Sequence, residues 1–219
     1  MDKLDFLHPG LIETSHAAGL ESLGALYGRL AREQAASLAA VSSHGPELAC
    51  PAGCGSCCEG FVPDILPVEA AYLAAWPEGM PAAPPCPFHE AGREGGKCGV
   101  YPARPLVCRL FGFSSVRDRE GRDSFALCRR MPARRGGRAW SGADLLRELG
   151  GGLPSMVDYG SLACAIAPGE AGERALLTEA LPSALRRLAL TLTLARRASA
   201  DDDDDPDNDR PNPTVPRAA

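Results

Sequence analysis

Cys50-Pro-Ala-Gly-Cys54-Gly-Ser-Cys57-Cys58 places four thiols within nine residues, and the rest of the chain is read outward from that cluster. A Cys-x2-Cys turn lets two sulfurs converge on one ion while nearby amides donate to them. Gly53 and Gly55 allow the backbone the close approach this needs. Four thiols so close together pack a hydrophobic core poorly, whereas thiolates suit zinc and iron–sulfur centres. Neighbouring side chains diverge, so the Cys57-Cys58 pair suggests two sites or a polynuclear centre rather than one four-coordinate zinc.

Downstream, Cys86-Pro-Phe-His89, Cys98, Cys108 and Cys128 supply four more thiols, enough for a second tetrad or for two mixed ones. Cys50, Cys54, Cys57, Cys58, Cys86, Cys98, Cys108 and Cys128 are therefore the candidate metal ligands. The ninth cysteine, Cys164, lies in the apolar run Leu162-Ala-Cys-Ala-Ile and reads as a buried hydrophobe. Four thiolates around a dication leave about two net negative charges. Lys97, Arg104 and Arg109 are the cations placed to offset them by hydrogen bonds to the sulfurs.

The segments Cys50-x3-Cys54-x2-Cys57-Cys58, Cys86-Pro-Phe and Gly96-x-Cys98-x-x-Tyr101-x-x-Arg104-Pro105-x-x-Cys108-Arg109 together resemble the YkgJ family of cysteine-cluster proteins, described as zinc- or iron-chelating domains. The resemblance runs over residues 50–111. It implies that seven of the eight candidate cysteines, all but Cys128, occupy family positions. Arg104, Pro105 and Arg109 match the family's Arg-Pro and Cys-Arg elements. His89 departs from the family pattern, which has leucine there, and Cys86-x2-His89 is itself a metal-ligand spacing. Similar clusters occur in flagellin lysine methylases, so the resemblance leaves an enzymatic role open and transfers no substrate.

The 219 residues allow one cored domain with appendages, and 45% hydrophobic residues exclude a wholly disordered chain. Aromatics make up only 5%, so the core must rest on Leu, Ala and Val, with metal cross-links supporting it. Residues 1–10 carry neither a basic n-region nor an apolar h-region, and no apolar stretch reaches the roughly 18–20 residues of a membrane span. The expectation is a cytoplasmic protein whose thiols serve as ligands rather than disulfides. Twelve Arg or Lys against four acids lie in residues 93–138. No aromatic stacking pattern accompanies them, which disfavours nucleic acid and leaves room for a protein partner of no identified class. No phosphate-cradling glycine loop, Gly-x-Ser-x-Gly elbow or His-Glu-x-x-His helix occurs. A binding module, structural or regulatory, is thus favoured over the alternative of an iron–sulfur or iron-dependent redox or group-transfer enzyme.

The expected fold is mainly α, with an irregular, metal-stabilised middle holding at most a small β-hairpin. Residues 1–45 form an N-terminal helical region, 46–132 the cysteine-rich metal-binding domain, 133–198 a C-terminal helical region, and 199–219 a disordered acidic and Pro-rich tail. Apolar spacing predicts a helix over 11–41 that Gly19, Gly24 and Gly28 weaken, leaving it kinked, split or closely packed at the glycines. A short helix starts at Pro67 and stops at Pro77. Residues 111–118 and 123–128 form a hairpin turning at Gly121. A helix over 141–150 is capped by Ser141, and a last helical region over 170–197 is divided by Pro182.

Overall fold

The computed structural model describes residues 17–44, 54–76, 86–92, 96–111, 113–125, 134–135, 138–150 and 152–203. In chain order the regular elements are α1 (Ala17–His44), β1 (Asp64–Ile65), α2 (Pro67–Ala74), β2 (His89–Glu90), β3 (Lys97–Cys98), α3 (Leu106–Leu110), β4 (Val116–Arg117), β5 (Asp123–Ser124), β6 (Arg134–Arg135), β7 (Arg138–Ala139), α4 (Gly142–Glu148), α5 (Met156–Ile166), β8 (Ala175–Leu176) and α6 (Leu177–Asp203). The fold is mainly α, and its strands form only small two-stranded antiparallel sheets.

In α1 the apolar stripe decides the outcome. Leu23, Leu30 and Val41 are fully buried, with Leu20 and Tyr27 nearly so, each large side chain contributing about 1.5–3 kcal/mol. That outweighs three glycine penalties of about 1 kcal/mol each. The helix therefore runs as one element through Gly19, Gly24 and Gly28 instead of splitting there. Residues 11–16, expected to begin it, lie outside the described residues.

Helix α2 starts at Pro67, whose missing N–H is no loss at a first position. It is buried nearly all round because α1 packs on one side and α6 on the other. Helix α6 begins at Leu177 rather than near residue 170, where Pro168–Glu170 forms a separate 3-10 turn. Pro182 does not divide it. It falls in the second turn, where one bond to the Thr178 carbonyl is forgone, and buried Leu177 and Leu181 before it and Ala184 after it hold the helix against the core. The helix also continues into Asp201–Asp203, which the sequence reading gave to the tail, although carboxylates are unfavourable at a helix C-terminus. Residues 204–219 lie outside the described residues.

Strand β8 feeds directly into α6 and pairs antiparallel with β1, Asp64 opposite Leu176 and Ile65 opposite Ala175. The Leu177 N–H then donates to the Pro63 carbonyl at 2.9 Å. These bonds fix the start of the C-terminal helix to the stretch that follows Cys58. Helix α5 did not emerge from the sequence reading. Ser155 caps it by accepting from the Asp158 N–H, and the Tyr159 hydroxyl donates to Glu33 on α1 at 2.7 Å.

A second, smaller core gathers Val41, Phe113, Phe125, Leu145 and Leu153, with Phe113 and Phe125 meeting edge to face at 5.7 Å between centroids. The β4–β5 hairpin is shorter than the spacing predicted, two residues a side, and turns through Gly121 at φ 77°. Residues 126–128 lie outside the described residues. Helix α4 matches its expectation, with Ser141 accepting from the Asp144 N–H at 3.1 Å and Gly150 following at φ 58°. No described helix is long and apolar enough to cross a membrane.

Candidate metal centre

Strand β3 organises the cysteine-rich middle. On one side it pairs with β2, His89 opposite Cys98 and Glu90 opposite Lys97, and on the other Cys54 forms a β-bridge to Lys97. The Gly55 N–H donates to the Gly96 carbonyl at 3.1 Å. Glycine is needed at both ends of that bond. A Cβ on Gly55 would stand 2.7 Å from the Lys97 carbonyl carbon, and one on Gly96 would overlap the Glu90 carbonyl oxygen. Gly96 also has φ 64°, a conformation costing a side-chain-bearing residue about 1–2 kcal/mol. Gly96→Ala is expected to lower stability by at least that much, read from the urea midpoint at unchanged m-value. No change in midpoint would mean that the β2–β3 turn contributes nothing to the fold.

Three further pieces of chain converge on this ribbon. Ser56–Cys58 winds into a 3-10 turn, closed by the Cys58 N–H donating to the Gly55 carbonyl at 2.8 Å. Residues 86–89 turn through Pro87, the His89 N–H donating to the Cys86 carbonyl at 3.0 Å. Helix α3 carries Cys108. Cys54, Cys58, Cys86, Cys98 and Cys108 thereby line one cavity of about 20 Å³, where about 10–15 Å³ suffices for a single water molecule. Pro63, Phe88, Val100 and Leu177 are among its other walls. Cys58 and Cys86 are buried and the other three half-buried, while the Cys54 thiol donates to the Ser56 hydroxyl at 3.3 Å.

Cys50 and Cys128 lie outside the described residues, as does the side chain of Cys57. Cys164 packs at the edge of the main core with its thiol 4.0 Å from the Ala171 carbonyl, and it is not a wall of the cavity. His89 is not one either. Atoms of its ring stand within 3 Å of where side chains on Gly55 and Gly96 would begin. Among the described residues no three His, Cys, Asp or Glu stand close enough to hold one ion as they are placed. The five cysteines nevertheless line a common space, and the soft donor chemistry of their sulfurs fits zinc or iron. Such sites commonly take their final form only on binding.

The three cations separate clearly. Lys97 is exposed and ion-paired with Glu90 at 2.9 Å, and the Glu90 carboxylate holds its ammonium above the usual lysine range by a hydrogen bond. Arg109 is mostly buried, its Cζ 3.9 Å from the Tyr27 ring centroid, and it is near enough to Cys108 to feel that group's charge. Its guanidinium donates to the Pro102 carbonyl and, at 2.8 Å, to the Arg104 carbonyl. Burial pulls it below the usual arginine range. Arg104 alone of the three lines the cavity.

Glu69 is an important residue that the sequence reading passed over. It is 2% exposed, and its carboxylate accepts from the Leu66 N–H at 2.9 Å, the Leu106 N–H at 2.7 Å and the Tyr27 hydroxyl at 3.2 Å. Burial, reinforced by this carboxylate, pushes the Tyr27 phenol well above its ordinary value, so it stays a donor. Glu69 thus ties α1 and α2 to the first residue of α3, two positions before Cys108. The available signal was Glu three positions after the residue preceding Pro67, a capping pattern.

A second cavity, about 540 Å³, lies among α1, α2, α5 and α6, with Glu170, Glu173, Glu179 and Arg187 among its walls. No cysteine lines it. Against known proteins, residues 49–129 match the CxxCxxCC family, described as "Putative zinc- or iron-chelating domain". No curated protein and no solved structure matches the chain. The match begins just before Cys50 and ends just after Cys128, so it encloses the ribbon, α3 and every thiol around the small cavity. Residues 49–129 thus match the model of the YkgJ-type cysteine-cluster family.

Proposed function

We propose that the chain is a metal-binding module whose clustered thiolates hold zinc or an iron–sulfur centre in a closed site, serving a structural or regulatory role. The observation that carries this reading is the convergence of five cysteines, from four separate pieces of chain, on one small apolar-walled cavity. A single ion cross-linking those pieces would replace the regular secondary structure that the middle lacks. Thiols in excess of four favour closed coordination over the open position a catalytic metal keeps. Any partner would engage the surface that the centre holds in shape. The larger cavity has the size of a small-molecule site, within about 300–1,000 Å³, but lacks a sulfur ligand in its walls, so it does not advance the redox-enzyme reading.

The test is purification without oxygen, followed by measurement of bound metal and acid-labile sulfide beside the visible spectrum. About one or two zinc ions on colourless protein, the number two tetrads accept, supports the structural module. Iron with sulfide and broad visible absorption would move the assignment to the redox alternative. Cys58→Ser and Cys86→Ser should each abolish stoichiometric binding, whereas Cys164→Ser should leave it unchanged. Full metal content in both of the first two variants would sink the proposal.

A further inference from the structure

We infer that Arg104 is the counter-cation of the thiol cavity: its buried Nε–H donates to a thiolate sulfur in the loaded site, and the loaded centre carries net negative charge. This rests on the metal reading above and deepens it. Arg104 is held at both ends. Its carbonyl accepts from Arg109, and its guanidinium lies over the Tyr101 ring with Cζ 4.0 Å from the centroid. Tyr101 and Arg104 are both walls of the cavity. The Nε–H is buried and has no hydrogen-bond partner among the described residues. An unsatisfied buried donor on a charged group is costly to keep, so its retention calls for an acceptor that arrives with the ligand.

The chemistry selects that acceptor. A neutral thiol is a weak acceptor, whereas a thiolate accepts a charge-assisted bond from a guanidinium. Metal binding is the event that deprotonates cysteines. Charge then limits the ligand set. A divalent ion with two thiolates is neutral and offers a nearby cation no attraction, while three or four thiolates leave one or two negative charges. An arginine fixed in the wall therefore fits a centre with at least three cysteine ligands, which makes Arg104 a positioning residue for the sulfurs rather than a ligand. Lys97 and Arg109 are not walls of the cavity: one pairs with Glu90 at the surface and the other stacks on the Tyr27 ring.

The experiment titrates the full chain with Co²⁺ against a chelator of known affinity, comparing wild type with Arg104→Gln and Arg104→Lys. Loss of a hydrogen bond to a metal-bound ligand typically weakens affinity about 10–100-fold, and Arg104→Gln should fall in that range. Its sulfur-to-cobalt charge-transfer band should move to lower energy, because a thiolate without its donor is richer in electrons. Arg104→Lys keeps the charge without the planar stacked donor and should lie between, and it decides the matter if the glutamine variant does not fold. Arg122→Gln, on the exposed β4–β5 turn, controls for loss of a surface charge and should match wild type. Unchanged affinity and band position in both Arg104 variants would overturn the inference while leaving the metal reading standing. Failure of the wild type to take up cobalt or zinc, with no iron or sulfide in the anaerobically purified protein, would overturn both.

Discussion

Stripping the bound metal is expected to lower the melting temperature by roughly 8–16 °C. Free metal at about 1,000 times its dissociation constant stabilises by about 4 kcal/mol, and a chain of this length shifts roughly 2–4 °C per kcal/mol. The loss should be local before it is global. Amide exchange is expected to accelerate first around residues 54–58, 86–90, 96–98 and 106–110, which lie in turns, a two-residue ribbon and a five-residue helix around the cavity. The buried stripe of α1 around Leu23 and Leu30 and its packing partner α2 should hold their protection until general unfolding. An unchanged melting profile and exchange pattern after verified metal removal would show that the thiol cavity does not cross-link the fold.

Glu69→Ala is expected to cost about 3–5 kcal/mol, because two backbone N–H groups and a buried hydroxyl lose their acceptor at once and each unsatisfied group costs about 1–3 kcal/mol before relaxation. The damage reaches the cavity through Leu106, whose N–H opens the helix that carries Cys108. Metal affinity should therefore fall together with stability, and urea denaturation of the apo and loaded forms measures both. Glu69→Gln keeps an acceptor oxygen and should lose less. A cost under about 1 kcal/mol for the alanine variant, the worth of one ordinary hydrogen bond, would mean that the freed donors find other partners.

The cysteines that line the small cavity were legible because they are concentrated in sequence and flanked by matching residues, Arg104-Pro105 and Cys108-Arg109. Helices α1, α2 and α4 were legible because a repeating apolar stripe, a proline at a first position and a serine cap are local signals. The faces of the cations were partly legible too. Lys97 and Cys98 adjoin on strand β3, and successive strand residues point to opposite sides, so a cysteine facing the cavity sends its neighbouring lysine outward. Other features depend on what the chain meets in space. Nothing in Pro67-Val68-Glu69 separates a buried, triply bonded carboxylate from an exposed capping one. Pro182 misled as a local signal because the burial of Leu177 and Leu181 outweighs one forgone helix bond. Helix α5 had a serine cap to announce it, but Gly160 and a mixed pattern of exposure obscured its stripe.

Leu177, a wall of the thiol cavity, comes from the first residue of the last helix, and its N–H anchors to Pro63. Chains emerge from the ribosome N-terminus first. All the matched cysteines have therefore been synthesised, with their ribbon and α3, before this wall residue exists. The cavity's cysteines thus precede one of its apolar walls in the order of synthesis, and that wall comes from the C-terminal helix rather than from the cysteine-rich segment.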